Sequence, residues 1–181
     1  MTNQIRHESA LQRAFEPHLV TDCESSNESE HHTMRGQNFT SSFTVEQNPA
    51  EVYDAINNVR GWWTGDIDGD SEALGDEFSY SYPGAHYSKQ KITELVPGKK
   101  VVWHVVDSHL EAEDPSEWTG TEISFEIAPK EDGTEVSFTH LGLIPAFECY
   151  DACSSAWGFF VNGSLKHLIT TGDGPTPPPW A

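Results

Sequence analysis

The chain has 181 residues and carries 10 basic against 29 acidic side chains, a formal net charge of -19. That field repels phosphate backbones and anionic bilayers, so neither nucleic acid nor membrane is an expected partner. No apolar run approaches the ~18 residues of a membrane span, no secretory h-region opens the chain, and three sparse cysteines (Cys23, Cys149, Cys153) are not a disulfide framework, so one cytoplasmic domain with tails is expected.

Residues 1–37 read as an acidic, disordered tail, because the stretch Pro17 to Gln37 has almost nothing to bury against the entropy of ordering. His31 and His32 in it read as polar filler rather than metal ligands. Order is expected from residue 38. Phe39, Ser41, Phe43 and Val45 alternate with polar neighbours, which predicts a strand. Asn48-Pro49-Ala50-Glu51 opens a helix, with Asn48 as N-cap and Glu51 closing a capping box. Val52, Ala55, Ile56 and Val59 supply its apolar stripe, and Gly61 ends it. The following GWWTGDIDGD is expected to be a loop or a short second helix. Its Asp66, Asp68 and Asp70 resemble the start of a calcium loop, but the glycine falls at position four instead of six and a strand follows, so a solvated acidic loop, flexible enough to gate a cavity mouth, is the better reading.

Phe78, Tyr80 and Tyr82 alternate before a turn at Tyr82-Pro83-Gly84-Ala85. Two strands flank Val96-Pro97-Gly98, with Trp103 and Val105 on one face and Val102, His104 and Val106 on the other. An acidic loop, HLEAEDPSEW, leads to the clearest hairpin: Ile123, Phe125 and Ile127, a turn through Glu131-Asp132-Gly133, then Val136, Phe138 and His140. A long helix is expected between Pro145 and Thr171, with Cys153, Trp157, Val161, Leu165 and Leu168 at helical spacing and Gly172 as a left-handed stop. Gly158 and Gly163 inside it predict a close approach of the helix to the sheet or to the Trp62-Trp63 loop, or else room for a ligand. Residues 38–174 therefore form an α+β domain, an antiparallel sheet wrapped around a helix, and residues 175–181 a Pro-rich tail.

No catalytic motif appears. Cys149 and Cys153 share a helical face, and His140 could join them around a metal, but a fourth ligand is missing and free cysteines are more often small hydrophobes. No cofactor and no metal are expected.

Several strings carry a resemblance: PAEVYDAI, RGWW, KITELVPGKKVVWHV, GTEISFEI, GTEVSFTHLGL and WGFFVNGSLKHLITTGDG, in that order from Phe39 to Gly174. In order and spacing the chain resembles the START-like or SRPBCC superfamily, the helix-grip fold of birch-pollen-type allergens, and within it the AHSA-like relatives of the activator of heat-shock-ninety ATPase. The resemblance implies a long C-terminal helix across the concave face of a curved sheet, with a partial cavity for a small hydrophobic or aromatic molecule between them. The residues it places there are Trp63, Phe78, Tyr80, Tyr82, Trp103, Phe125, Phe138, His140, Cys153, Trp157, Phe160 and Ser164. His140, Tyr82 and Ser164 are the expected polar contacts, and Trp157→Ala is expected to lose the ligand while the fold survives. The resemblance implies two other functions as well: cyclase- or hydrolase-like catalysis through His140, and contact with a chaperone. It leaves the oligomeric state open.

Overall fold

The computed structural model describes residues 38–179. The acidic tail at 1–37, with Cys23, His31 and His32, lies outside the described residues, as do 180 and 181. Seven antiparallel strands form one sheet: β1 (Phe39–Val45), β2 (Asp66–Gly69), β3 (Glu77–Tyr82), β4 (His86–Val96), β5 (Lys100–Leu110), β6 (Glu122–Lys130) and β7 (Gly133–Leu141), in the order β1-β7-β6-β5-β4-β3-β2. Helix α1 (Pro49–Asn57) follows β1, and a single 3₁₀ turn, Val59–Gly61, carries the chain to Trp62 and Trp63. After β7 comes the long C-terminal helix, made of α2 (Tyr150–Phe159), a π-helical turn (Phe160–Leu165) and α3 (Lys166–Thr171). This is the helix-grip arrangement, a curved antiparallel sheet closed by the C-terminal helix.

Local chemistry explains the elements. Asn48 Oδ1 accepts from the amides of Ala50 (2.9 Å) and Glu51 (3.1 Å), and Glu51 Oε2 accepts from the Asn48 amide at 3.0 Å, which completes the capping box of α1. The two-residue turn Glu131-Asp132 sets the register of β6 and β7, with Lys130 opposite Gly133 and Phe125 opposite Phe138. The helix stops at Gly172, whose φ of 77° only glycine adopts cheaply.

Four expectations are corrected. The segment after Trp63 is neither loop nor helix: Asp66–Gly69 pairs with β3 as an edge strand, and Asp66 and Asp68 point to solvent on its exposed positions. Among the described residues no group of three or more His, Cys, Asp or Glu side chains could hold a metal ion. The C-terminal helix starts at Tyr150, not near Pro145, and its π turn shifts the phase of the stripe. Val161 and Leu165 are buried as expected, but beyond the turn Ile169 takes the buried position and Leu168 is only half-buried. Nothing lies within 4 Å of a Cβ built at Gly158, and only Phe159 at 3.9 Å for Gly163, so neither glycine serves a close approach. The Pro-rich segment is not all tail, since the Thr176 amide donates to Ser164 Oγ at 3.2 Å and Pro178 is buried.

Gly133 is where the backbone tolerates no side chain. Its φ is 139°, and a Cβ there would run into the carbonyl oxygen of Val45 on the β1 edge. Gly133→Ala should cost ~2 kcal/mol or more. Gly84→Ala, at a φ of 78° with nothing within 4 Å, should cost ~1 kcal/mol. Urea-unfolding midpoints of the two variants check the difference.

Candidate functional site

The centre of the molecule is a stack of aromatic rings. Trp62 and Trp63 come off the 3₁₀ turn with planes 7° apart. Trp63 lies on Tyr80 at 4.2 Å and near-parallel to Trp103 at 6.4 Å. Phe78 and Phe125 meet Trp103 edge-on at 5.1 and 5.2 Å, and Phe138 leans on Trp157 at 4.7 Å. These rings are buried against one another, and solid packing accounts for most of them.

A cavity of about 530 Å³ opens at one end of the stack. Helix α2, with the residue on either side of it, forms one wall through Cys149, Ala152, Cys153, Ala156, Trp157 and Phe160. The sheet contributes Trp63, Tyr80, Tyr82, His86 and Leu110, and the acidic loop between β5 and β6 contributes Glu111 and Trp118. Of the twelve residues expected at the site, Trp63, Tyr80, Tyr82, Cys153, Trp157 and Phe160 line it. Phe78, Trp103, Phe125, Phe138, His140 and Ser164 do not; they are core. Ser164 Oγ donates to the Trp62 carbonyl at 2.7 Å and accepts from Thr176, so it braces the helix instead of meeting a ligand.

His140 is spoken for at both nitrogens. The Trp157 indole N–H donates to Nδ1 at 3.0 Å, Nε2 faces Thr121 Oγ1 at 2.8 Å, and Thr121 Oγ1 donates to the Trp118 carbonyl at 2.6 Å. An indole only donates, so Nδ1 accepts and the ring proton sits on Nε2. Complete burial, helped by nearby His86, pushes the pKa of His140 down to about 3. A neutral, fully bonded imidazole outside the cavity is not placed for acid–base work. Trp157 belongs to the same network at 1% exposure, so Trp157→Ala is no clean test of a cavity wall; such a truncation typically costs ~3–5 kcal/mol of stability.

Sequence reasoning missed the histidine that does line the cavity. His86 lies edge-on to Trp118 at 4.5 Å and to Tyr80 at 5.3 Å, and its Nε2 meets Ser88 Oγ at 3.0 Å. Burial lowers its pKa to about 4, so it is uncharged at neutral pH. Tyr80 is pushed up to about 12, first by burial and then by Tyr82, and stays a phenol. Trp118 was missed as well, because the acidic loop that carries it has no periodicity. A pair of carboxylates holds that loop onto the start of α2: Glu117 accepts from the amides of Glu148 (2.7 Å) and Cys149 (3.0 Å), and Glu148 accepts from the Glu113 amide at 2.7 Å. Glu117 thereby supplies the negative charge that a helix N-terminus favours.

The two buried histidines make stability pH-dependent. Their folded pKa values, about 4 and about 3, lie below the unfolded value, so acid protonates the unfolded chain first. Their contribution is complete above pH ~6.5 and is lost on acidification, by up to ~1.4 kcal/mol per pH unit for each ring. Urea midpoints between pH 7.5 and 5.5 should fall accordingly, and His86→Gln should make the slope shallower.

Comparison with known proteins agrees with this architecture. A family model described as Activator of Hsp90 ATPase homolog 1-like protein matches residues 46–170. The Aha1 dimer from Colwellia psychrerythraea, solved in solution, is 29% identical with a TM-score of 0.62, over 76% of this chain and 98% of that one. Protein MLL2253 from Mesorhizobium loti is 17% identical with a TM-score of 0.60 over 74% and 96%. CalU16 from Micromonospora echinospora is 16% identical with a TM-score of 0.52 over 74% and 76%; the last two speak for the fold alone. No curated protein matches the sequence significantly. No helix among the described residues is long and apolar enough to cross a membrane. With the family match spanning more than half of its length, the chain belongs to the Activator of Hsp90 ATPase homolog 1-like family, in the START-like/SRPBCC superfamily.

Proposed function

We propose that the protein binds a small aromatic molecule, uncharged or cationic, in the cavity between α2, the sheet and the acidic loop. The observation that carries this reading is the composition of the cavity wall. Tryptophan, tyrosine, phenylalanine and alanine surround about 530 Å³, with only a few polar groups among them. Those groups define the sign of charge that fits. Glu111 and Glu148 stand at the wall, His86 is neutral, and among the described residues no lysine or arginine lines the space. A carboxylate ligand would enter against two like charges with no counter-ion, whereas an amine or a neutral ring would not. The neutral His86 ring and the Tyr80 phenol are left to meet a polar substituent.

A second reading, contact with an Hsp90-type chaperone, is supported by the family match over residues 46–170. Stimulation of the ATPase of the chaperone from the same cell would establish it independently of any small molecule.

The ligand reading is tested with three probes of one ring system: naphthylmethylamine, naphthalenemethanol and naphthoate, measured by calorimetry. The amine and the alcohol should bind and the acid at least ~10-fold more weakly, a difference of ~1.4 kcal/mol. Ala152→Trp, which fills the mouth from an exposed position on α2, should abolish binding and leave the unfolding midpoint in place. Equal binding by the variant would remove the cavity from consideration.

A further inference from the structure

Cys149 and Cys153 are not used in that reading, yet both face the cavity. Cys149 caps α2 with helical backbone angles, and the Cys153 amide donates to the Cys149 carbonyl at 2.7 Å, so the two side chains stand one above the other, one turn apart. At that spacing their Cβ atoms are about 5–6 Å apart. A disulfide needs about 3.5–4.5 Å, so the helix would have to break to form one. The spacing does suit two sulfurs bonded to one large atom between them. A hard or borderline metal is not served: zinc wants four ligands, His140 has both nitrogens engaged, and no third donor of the metal-binding kind joins the pair among the described residues.

We propose that Cys149 and Cys153 form a two-thiol clip for a trivalent organoarsenical, whose apolar group occupies the adjoining aromatic cavity. The soft sulfurs select a soft centre, and Trp118, Ala152, Ala156 and Trp157 offer the group an apolar berth. The reaction is a condensation without electron transfer. Two S–H bonds and the As=O bond break, two S–As bonds form, and both thiol protons leave with the oxide oxygen as one water. The overall step is proton-neutral, each sulfur attacking as its thiolate and its proton ending in the water. The Cys149 pKa is raised by its hydrogen bond to Cys153 and by burial, so the condensation should quicken as pH rises.

The experiment uses the full chain with Cys23→Ser, so that only the two helical thiols remain, and phenylarsine oxide as the probe. Intact-mass analysis should show one adduct, heavier than the protein by the probe less one water. Cys149→Ser and Cys153→Ser, made separately and checked for native near-ultraviolet dichroism, should each hold the probe ~100-fold less tightly, because the second bond is then lost as an intramolecular step. No adduct on the folded parent, or an equal adduct on either serine variant, overturns the clip. The naphthalene probes are unaffected by either result, so this test and that of the ligand reading fail separately.

Discussion

One directed chain of hydrogen bonds, from the Trp157 indole through His140 and Thr121 to the Trp118 carbonyl, ties together parts of the molecule that are far apart in sequence. It joins the C-terminal helix to β7, to the start of β6 and to the acidic loop. Every bond in it has one direction, because the indole can only donate and the carbonyl can only accept, so His140 and Thr121 each accept on one side and donate on the other. The imidazole is thereby held in one tautomer and one orientation. Because His140, Trp157 and Thr121 are buried, breaking any link would leave a buried polar atom unpaired, at a cost of ~1–3 kcal/mol. That constraint places Trp157 and Trp118 parallel, 5.6 Å apart, and so fixes two walls of the cavity from behind.

The acidic surface and the neutral interior are separate designs. The lysines pair with glutamates on the exposed face of the sheet, as in Lys89–Glu77 at 2.6 Å, Lys100–Glu94 at 2.8 Å and Lys130–Glu135 at 2.7 Å. Exposed pairs of this type contribute little to stability. Inside, charge is removed rather than paired: two histidines are neutral, a phenol keeps its proton, and the carboxylates near the cavity hold backbone amides of the loop and helix. The loop is thus closed by local bonds to the helix N-terminus instead of by the apolar contacts that build the rest of the core.

Much of this was legible in the sequence because the signals were periodic or chemical. The alternation of Phe39 to Val45, the capping box at Asn48 and Glu51, the two-residue turn before Gly133 and the stop at Gly172 each dictate local structure, and the structure has all of them. Tertiary partners were harder to read. Asp66–Gly69 looks like a loop because its two aspartates and its glycine lack strand propensity, and only pairing with β3 makes it a strand. His140 looked like a cavity residue because it shares a face with Phe138, but the same face also meets Thr121 and Trp157, which sequence spacing cannot reveal. His86 and Trp118 were missed for the opposite reason: a strand start after a turn and an aperiodic loop give no pattern, and their role arises from where the chain returns in space.

The π turn at Phe160–Leu165 divides the C-terminal helix into two halves that answer to different neighbours. Before it, Cys149, Cys153 and Trp157 look toward the cavity; from its last residue, Leu165, onward, Leu165 and Ile169 are buried where the helix meets β1 and α1. A turn widened by one residue absorbs the angular offset between the two stripes, so neither half dictates the heading of the other. Substitutions in the first half can then reshape the cavity wall while the second half goes on covering the core. The helix behaves as a fixed anchor joined to an interchangeable face, an arrangement that uncouples the shape of the cavity from the stability of the core.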